Sequence, residues 1–239
     1  MNLVWVQNFL SHLKNLYNNL GGNKLKRFKE NLSFDNLLQP NREDLVNDKF
    51  KLKGKWSNFF KNDNPITLEL GCGKGEYTFS LASKYPNQNF IGIDIKGARI
   101  WKGAKDSISE NLKNVCFLRC QIEFIDKVFD VGEISEIWLT FPDPQIKFQR
   151  RKHRLLNTNF LNLYKKILKK NSLIHLKTDS EFLHGYTLGI AEGMGLEIVK
   201  SNHDIYSNRN APTDAINIQT FYEKKFSDKK ITYMCFKIK

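Results

Sequence analysis

The stretch Ile66-Thr-Leu-Glu-Leu-Gly-Cys-Gly-Lys-Gly-Glu76 leaves this chain few ways to fold. An apolar, β-favouring run breaks into three alternating glycines, Gly71, Gly73 and Gly75. A helical pattern follows, then a second apolar run, Phe90-Ile-Gly-Ile-Asp94, which ends in an acid. Strand, glycine loop, helix, strand and carboxylate, in that order, make half of a nucleotide-binding α/β sheet. The glycines let the backbone turn sharply and approach a ligand with no side chain in the way. The acid closing the second strand can accept hydrogen bonds from both hydroxyls of a ribose.

Two details favour S-adenosylmethionine over a dinucleotide as that ligand. The loop reads Gly-x-Gly-x-Gly, and Glu76 stands where the dinucleotide fingerprint needs a third small residue. Glu69 precedes the loop; its carboxylate repels a pyrophosphate and attracts the ammonium of a methionine moiety. Taken alone, the segment also fits a glycine turn that joins strand to helix and binds nothing.

Further strand patterns fall near 114–120, 134–141, 172–178, 196–200 and 231–238, with helical patterns between successive strands through 172–178. The alternation predicts a doubly wound, mostly parallel, seven-stranded α/β sheet with helices on both faces. Ligands in such sheets bind outside the carboxyl ends of the strands. The polar residues at those ends are Glu69, Asp94, Gln121, Asp143 and Asp179. With 41% hydrophobic residues, a full core is available without disulfides or metals. Cys72, Cys116, Cys120 and Cys235 have no metal-ligand spacing, nor do the histidines, so we expect reduced thiols, no metal and a cytoplasmic protein.

The fourth strand ends in Phe141-Pro-Asp-Pro144. Each proline fixes its own φ and restricts its predecessor, so Asp143 is held on a stiff turn. Between Lys147 and Arg154 follow five basic residues and a histidine within eight positions. At the ligand rim this run binds phosphates by charge and offers Phe148 as a stacking surface. The net charge of +13 points the same way, toward a polyanionic partner. Residues 1–22 read as an amphipathic extension, with no signal peptide and no membrane span; residues 23–60 read as a basic arm and helix. The polar, aromatic tail between Lys200 and Lys230 is long for a loop and suits a lid.

Together, Leu68-Glu-Leu-Gly-Cys-Gly-Lys-Gly75, Asp94, Phe141-Pro-Asp-Pro144, Lys177-Thr-Asp179 and Thr220-Phe-Tyr-Glu223 resemble the bacterial tRNA (guanine-N7)-methyltransferases. The resemblance runs from about Lys24 to the C-terminus, and it implies a class I, Rossmann-like methyltransferase domain over 61–239. It further implies S-adenosylmethionine as donor and the variable-loop guanine of tRNA as target. By position, Glu69 then holds the methionine end of the donor with the loop Gly71, Gly73 and Gly75. Asp94 takes the ribose and Gln121 the adenine amino group. Asp143 is the acid at the reaction centre, between donor and base. Lys147, Asp179 and the segment Thr220, Phe221, Tyr222, Glu223 contact the substrate. Two departures stand out: Gln145-Ile146 replaces the family's usual Trp-Pro, and Gln149-Arg150 its Arg-His.

Guanine N7 carries an in-plane lone pair and no proton, so its methylation needs alignment and charge stabilisation but no general base. Two other readings stay open: a methyltransferase of this fold acting on another RNA, and a non-catalytic RNA-binding module. A nicotinamide oxidoreductase is excluded by the glycine spacing and Glu69. Nothing in the pattern separates a monomer from a homodimer.

Overall fold

Alternation along the strands sorts their side chains into two apolar sets. Leu68, Leu70, Ile91, Ile93, Cys116, Leu118, Ile137, Leu139, Met234 and Phe236 belong to one core cluster. Their neighbours Phe90, Val115, Phe117, Trp138, Tyr233 and Cys235 belong to a second. A strand points successive side chains to opposite faces, so both faces of the sheet are apolar and both require a cover.

The computed structural model describes residues 23–225 and 229–238; the expectation for residues 1–22 lies outside the described residues. The strands are β1 (Leu37–Leu38), β2 (Ile66–Leu70), β3 (Asn89–Ile93), β4 (Val115–Leu118), β5 (Ile134–Thr140), β6 (Leu168–Thr178), β7 (Glu197–Asn202) and β8 (Thr232–Lys237). They form one sheet in the order β1-β4-β3-β2-β5-β6-β8-β7. β8 runs antiparallel to β6 and β7, and the other pairs are parallel. Seven of these strands lie where the sequence places them. The eighth corrects the count: β1 has two residues, too few to show alternation, and is made by pairing. Phe117 N–H donates to Asn36 O at 2.7 Å and Arg119 N–H to Leu38 O at 2.9 Å.

Residues 23–31 (α1) are helical, followed by α2 (Arg42–Val46), α3 (Trp56–Phe60), α4 (Glu76–Lys84), α5 (Gly97–Ser109), α6 (Ile125–Val128), α7 (Thr158–Ile167), α8 (Glu181–Gly193), α9 (Thr213–Asn217) and α10 (Phe221–Lys225). Tyr77 and Leu81 of α4 and Ile100 and Ala104 of α5 cover the Phe117 face. Trp56 of α3, Ile125 of α6, Tyr164 of α7 and Leu183 of α8 cover the other. The basic segment at 24–29 docks on α5: the Arg27 guanidinium lies 4.8 Å from the Trp101 ring centroid, and Asn31 Nδ2 donates to Gly97 O at 2.9 Å. Its lysines 24, 26 and 29 face outward.

β3 and β4 extend the sheet on one side of β2, and β5 and β6 on the other. The direction of winding therefore reverses between β2 and β5, and a crevice opens at their carboxyl ends. Gly75 shows how closely the first loop is packed there. Its φ is 73°, and a Cβ would come within 2.4 Å of Phe117 Cε1. No L side chain satisfies both demands.

Candidate active site

A cavity of about 290 Å³ occupies that crevice. Gly71, Cys72, Gly73, Lys74 and Glu76 form one wall, and Thr140 and Phe141, at the end of β5, another. Arg99 from α5 and the segment Thr220, Phe221 and Tyr222 complete it. Gly73, at φ 57°, has nothing within 4 Å of the place a Cβ would take. The backbone here is bare toward open space.

Glu69 is buried under the loop and ties three elements together. Its Oε2 accepts from Thr78 N–H of α4 at 2.9 Å and from the Thr78 hydroxyl, and its Oε1 accepts from Thr140 Oγ1 of β5 at 2.6 Å. Burial pushes its pKa up to about 7, against the hydrogen bonds from Thr140 and Thr78, which lower it. A cation brought to this carboxylate would favour its charged form. Asp94 fastens the next strand end to the loop: its Oδ2 accepts from Gly73 N–H at 2.9 Å, and its Oδ1 from Lys96 N–H at 2.8 Å.

A second cavity of about 420 Å³, beyond the end of β3, is lined by Ile95, Arg119, Cys120, Gln121, Phe124 and residues 39–42 and 45. Gln121 is exposed there, at the start of the 3₁₀ turn Ile122–Phe124. Of the expected donor residues, Gly71 and Gly73 line the first cavity and Gln121 the second, whereas Glu69, Gly75, Asp94 and Asp143 line neither.

Asp143 is exposed, and its Oδ1 accepts from Gln145 N–H at 3.0 Å. The turn is stiffer than its two prolines require. Phe141 and Gln145 adopt left-handed backbone, with φ of 50° and 46°, a conformation that costs a non-glycine residue about 1–3 kcal/mol. Lys147 begins the 3₁₀ helix Phe148–His153, and its neighbours Arg150, Arg151 and Lys152 are exposed with it. The Arg151 guanidinium lies 3.8 Å from the Phe148 ring centroid.

The C-terminal segment closes over the glycine loop. Phe221 N–H donates to Glu76 Oε2 at 2.8 Å, and Lys74 Nζ sits 3.5 Å from the Phe221 ring centroid. Tyr222 packs on Phe141, with ring centroids 5.8 Å apart. Thr220 caps α10 by accepting from Glu223 N–H at 3.2 Å. This is the threonine half of a capping box, but the glutamate half is used elsewhere.

Glu223 turns inward, away from the cavity lining. Its Oε2 lies 2.8 Å from Lys177 Nζ, with the two side chains 4% and 0% exposed, and its Oε1 accepts from the Tyr206 hydroxyl. Lys177 also donates to Ile218 O at 3.0 Å. Burial lowers the Lys177 pKa, and Glu223 opposes the shift. Asp179 pairs with Lys229 Nζ at 2.7 Å. Of the expected substrate residues, Thr220, Phe221 and Tyr222 therefore line the cavity, while Lys147, Asp179 and Glu223 do not.

Sequence reading missed Lys74, Glu76, Thr78, Arg99, Thr140 and Lys177. Glu76, directly after the third glycine, carried a signal, because an acid at a helix N-terminus is free to accept an approaching N–H. Lys177 enters only within the motif Lys177-Thr-Asp179, with no role of its own. A lysine in an apolar strand signals a buried pair only once its partner is known. Among the described residues, no group of three or more His, Cys, Asp or Glu side chains is placed to hold a metal, and no helix is long and apolar enough to cross a membrane.

Comparison with known proteins shows the family to which the fold belongs. The methyltransferase family model Methyltransf_4 matches residues 63–236. A tRNA (guanine-N(7)-)-methyltransferase of Christiangramia forsetii is 62% identical over 91% of this chain and 98% of its own length. The chain belongs to this family. Its relatives of the same name include one from Bacteroides fragilis, 46% identical over 89% of this chain and 84% of that protein. Another, from Clostridium novyi, is 38% identical over 76% and 83%. Among solved structures, the 16S rRNA methyltransferase KamB aligns with a TM-score of 0.59 at 11% identity, covering 77% of this chain and 93% of that one. A SAM-dependent methyltransferase from Aquifex aeolicus gives a TM-score of 0.52 at 14% identity, covering 83% and 94%. At such identities these two speak for the fold, which they share with this family member.

Proposed function

We infer that this protein is a cytoplasmic tRNA-modifying enzyme that transfers a methyl group from S-adenosyl-L-methionine to N7 of guanosine in tRNA, with the variable-loop guanosine as target. One observation carries the reading: the bare glycine wall at the switch point faces Phe141, which leads directly into the Asp143 turn. The residues fit the donor. Cavities lie to either side of Asp94, one lined by its bonding partner Gly73 and the other by the next residue, Ile95, and on this reading they take the amino-acid end and the nucleoside end of the donor. Glu69 supplies the negative charge for the ammonium, Asp94 the acceptor for the ribose and Gln121 a carbonyl for the adenine amino group.

The donor, when bound, contributes an electrophilic sulfonium methyl. The protein contributes position and charge. The capped segment Thr220–Tyr222 lines the cavity and offers an aromatic surface to the base. Alignment of this kind is worth roughly 7–11 kcal/mol. As N7 takes the methyl, positive charge develops on the purine, and the Asp143 carboxylate, fixed on its turn, stabilises it. Lys147, Arg150, Arg151 and Lys152 draw in the tRNA backbone.

The deciding experiment measures methyl transfer from labelled donor to unmodified tRNA transcripts with and without the variable-loop guanosine. Label should enter only the first, and strand scission chemistry for N7-methylguanine should cut at that nucleotide. Equal label on both transcripts would overturn the site assignment. No label despite intact donor binding would point to a different RNA or to a binding role.

A further inference from the structure

In the sequence, Arg154 is the last member of the basic run that begins at Lys147, and it reads as one more phosphate contact. The structure separates it from that run. Lys147, Arg150, Arg151, Lys152 and His153 are exposed, whereas Arg154 is 7% exposed. Its Nε donates to the carbonyls of Pro144 at 3.3 Å and Gln145 at 3.2 Å, and its Nη2 to that of Ile146 at 3.2 Å. The guanidinium also lies 4.8 Å from the Phe182 ring centroid and 4.6 Å from that of Tyr186, both on α8.

We infer that Arg154 is a positioning residue for Asp143, acting through the backbone of the turn, and that it does not bind RNA. Three consecutive carbonyls, starting directly after Asp143, converge on one planar group. They fix the peptide planes of 144–146 against α8. Gln145 links this clamp to the carboxylate: its carbonyl is held by Arg154, and its N–H is the donor that orients Asp143 Oδ1. The clamp also explains how the left-handed backbone at Gln145 persists, since such conformations survive only where their surroundings over-determine them. Ser180, the residue before α8, caps it by accepting from Leu183 N–H, so the same clamp ties the turn to the end of β6, next to Asp179. A lysine cannot take over, because an ammonium has neither the planar fork for three carbonyls nor the flat face for two rings.

The inference rests on the methyltransferase reading, and the experiment keeps the two apart. Arg154→Lys and Arg154→Met are compared with Arg151→Met, the exposed neighbour, by kcat at saturating tRNA and donor, donor Kd, and the slope of log K for tRNA against log salt. For both Arg154 variants we expect kcat to fall at least about 30-fold, in the range seen when a well-placed charge loses its alignment. Donor Kd should stay within about threefold and the salt slope should not change, whereas Arg151→Met should flatten the slope by about 0.7–0.9, the value of one phosphate contact. Flattening of that size in the Arg154 variants with kcat intact would overturn the inference, as would wild-type kcat in Arg154→Lys. If neither Arg154 variant folds, the double variant Phe182→Leu, Tyr186→Leu keeps the guanidinium and removes its two rings. It should lower kcat without changing the slope, and unchanged kcat there overturns the clamp. An inactive wild type overturns both the functional reading and the inference built on it; an active wild type with an indifferent Arg154 overturns the inference alone.

Discussion

Removing the Glu223 carboxylate should destabilise this fold more than its place in a surface-bound segment suggests. Lys177 has a fully buried side chain, and Glu223 is its charge partner at 2.8 Å. Glu223→Ala leaves the ammonium facing Ile218 O, the Tyr77 and Phe141 rings and a vacated space. Deleting one member of a buried pair costs about 3–5 kcal/mol, mainly because the other charge is stranded. At a urea m-value of about 2.5 kcal/mol/M this moves the unfolding midpoint down by roughly 1–2 M. The double replacement Lys177→Met, Glu223→Leu should regain most of that loss, since an apolar pair of similar volume is often as stable as the ionic one. The deficit should also depend on pH with a definite sign. Burial already holds the Lys177 pKa below 10.5, and without Glu223 it falls further. In the window below 10.5 the unfolded chain then binds more protons than the folded one, so stability rises with pH and the deficit of Glu223→Ala narrows from pH 7 toward pH 10. A loss under about 1 kcal/mol, additive effects of the two single changes, or a deficit that widens with pH would refute the argument.

Three further outcomes follow from the site. The Glu69 carboxyl has its pKa raised from 4.5 to about 7, so the folded state retains a proton that the unfolded state has lost, and stability should fall by about 3 kcal/mol as pH rises through that window. Urea midpoints at pH 5 and pH 8 test this, and Glu69→Gln should remove that part of the pH dependence; an unchanged pH difference in Glu69→Gln assigns it to other groups. Asp143→Ala should lower kcat by about 10²–10³-fold with donor Kd nearly unchanged, as for loss of one electrostatic stabiliser. Steady-state kinetics with calorimetric donor titration measure both, and a kcat within a few-fold of wild type reduces Asp143 to a turn residue. Charge reversal at Lys147, Arg150, Arg151 and Lys152 should weaken tRNA binding and flatten its salt dependence, read by filter binding over a salt series, because each phosphate contact releases counterions. An unchanged slope places the RNA on another surface.

Local chemistry made much of this protein legible in its sequence. A strand that breaks into Gly71, Gly73 and Gly75 admits few conformations, and the apolar runs within 90–95 and 134–141 mark strands. The individual strands, the glycine loop and the proline-flanked turn at Asp143 follow from interactions among residues close in the chain. What spacing could not carry are contacts between distant segments. β1 exists only because β4 offers it an edge, and Glu76 meets Phe221 across 145 positions. Glu223 is drawn inward by Lys177 across 46 positions, although its Thr-x-x-Glu pattern reads as local. Arg154, one of five similar cations in sequence, differs from the others because three carbonyls and two rings enclose it. Charge and periodicity are properties of the chain; burial is a property of the packed whole, and it decides which charges meet the substrate and which hold the machinery in place.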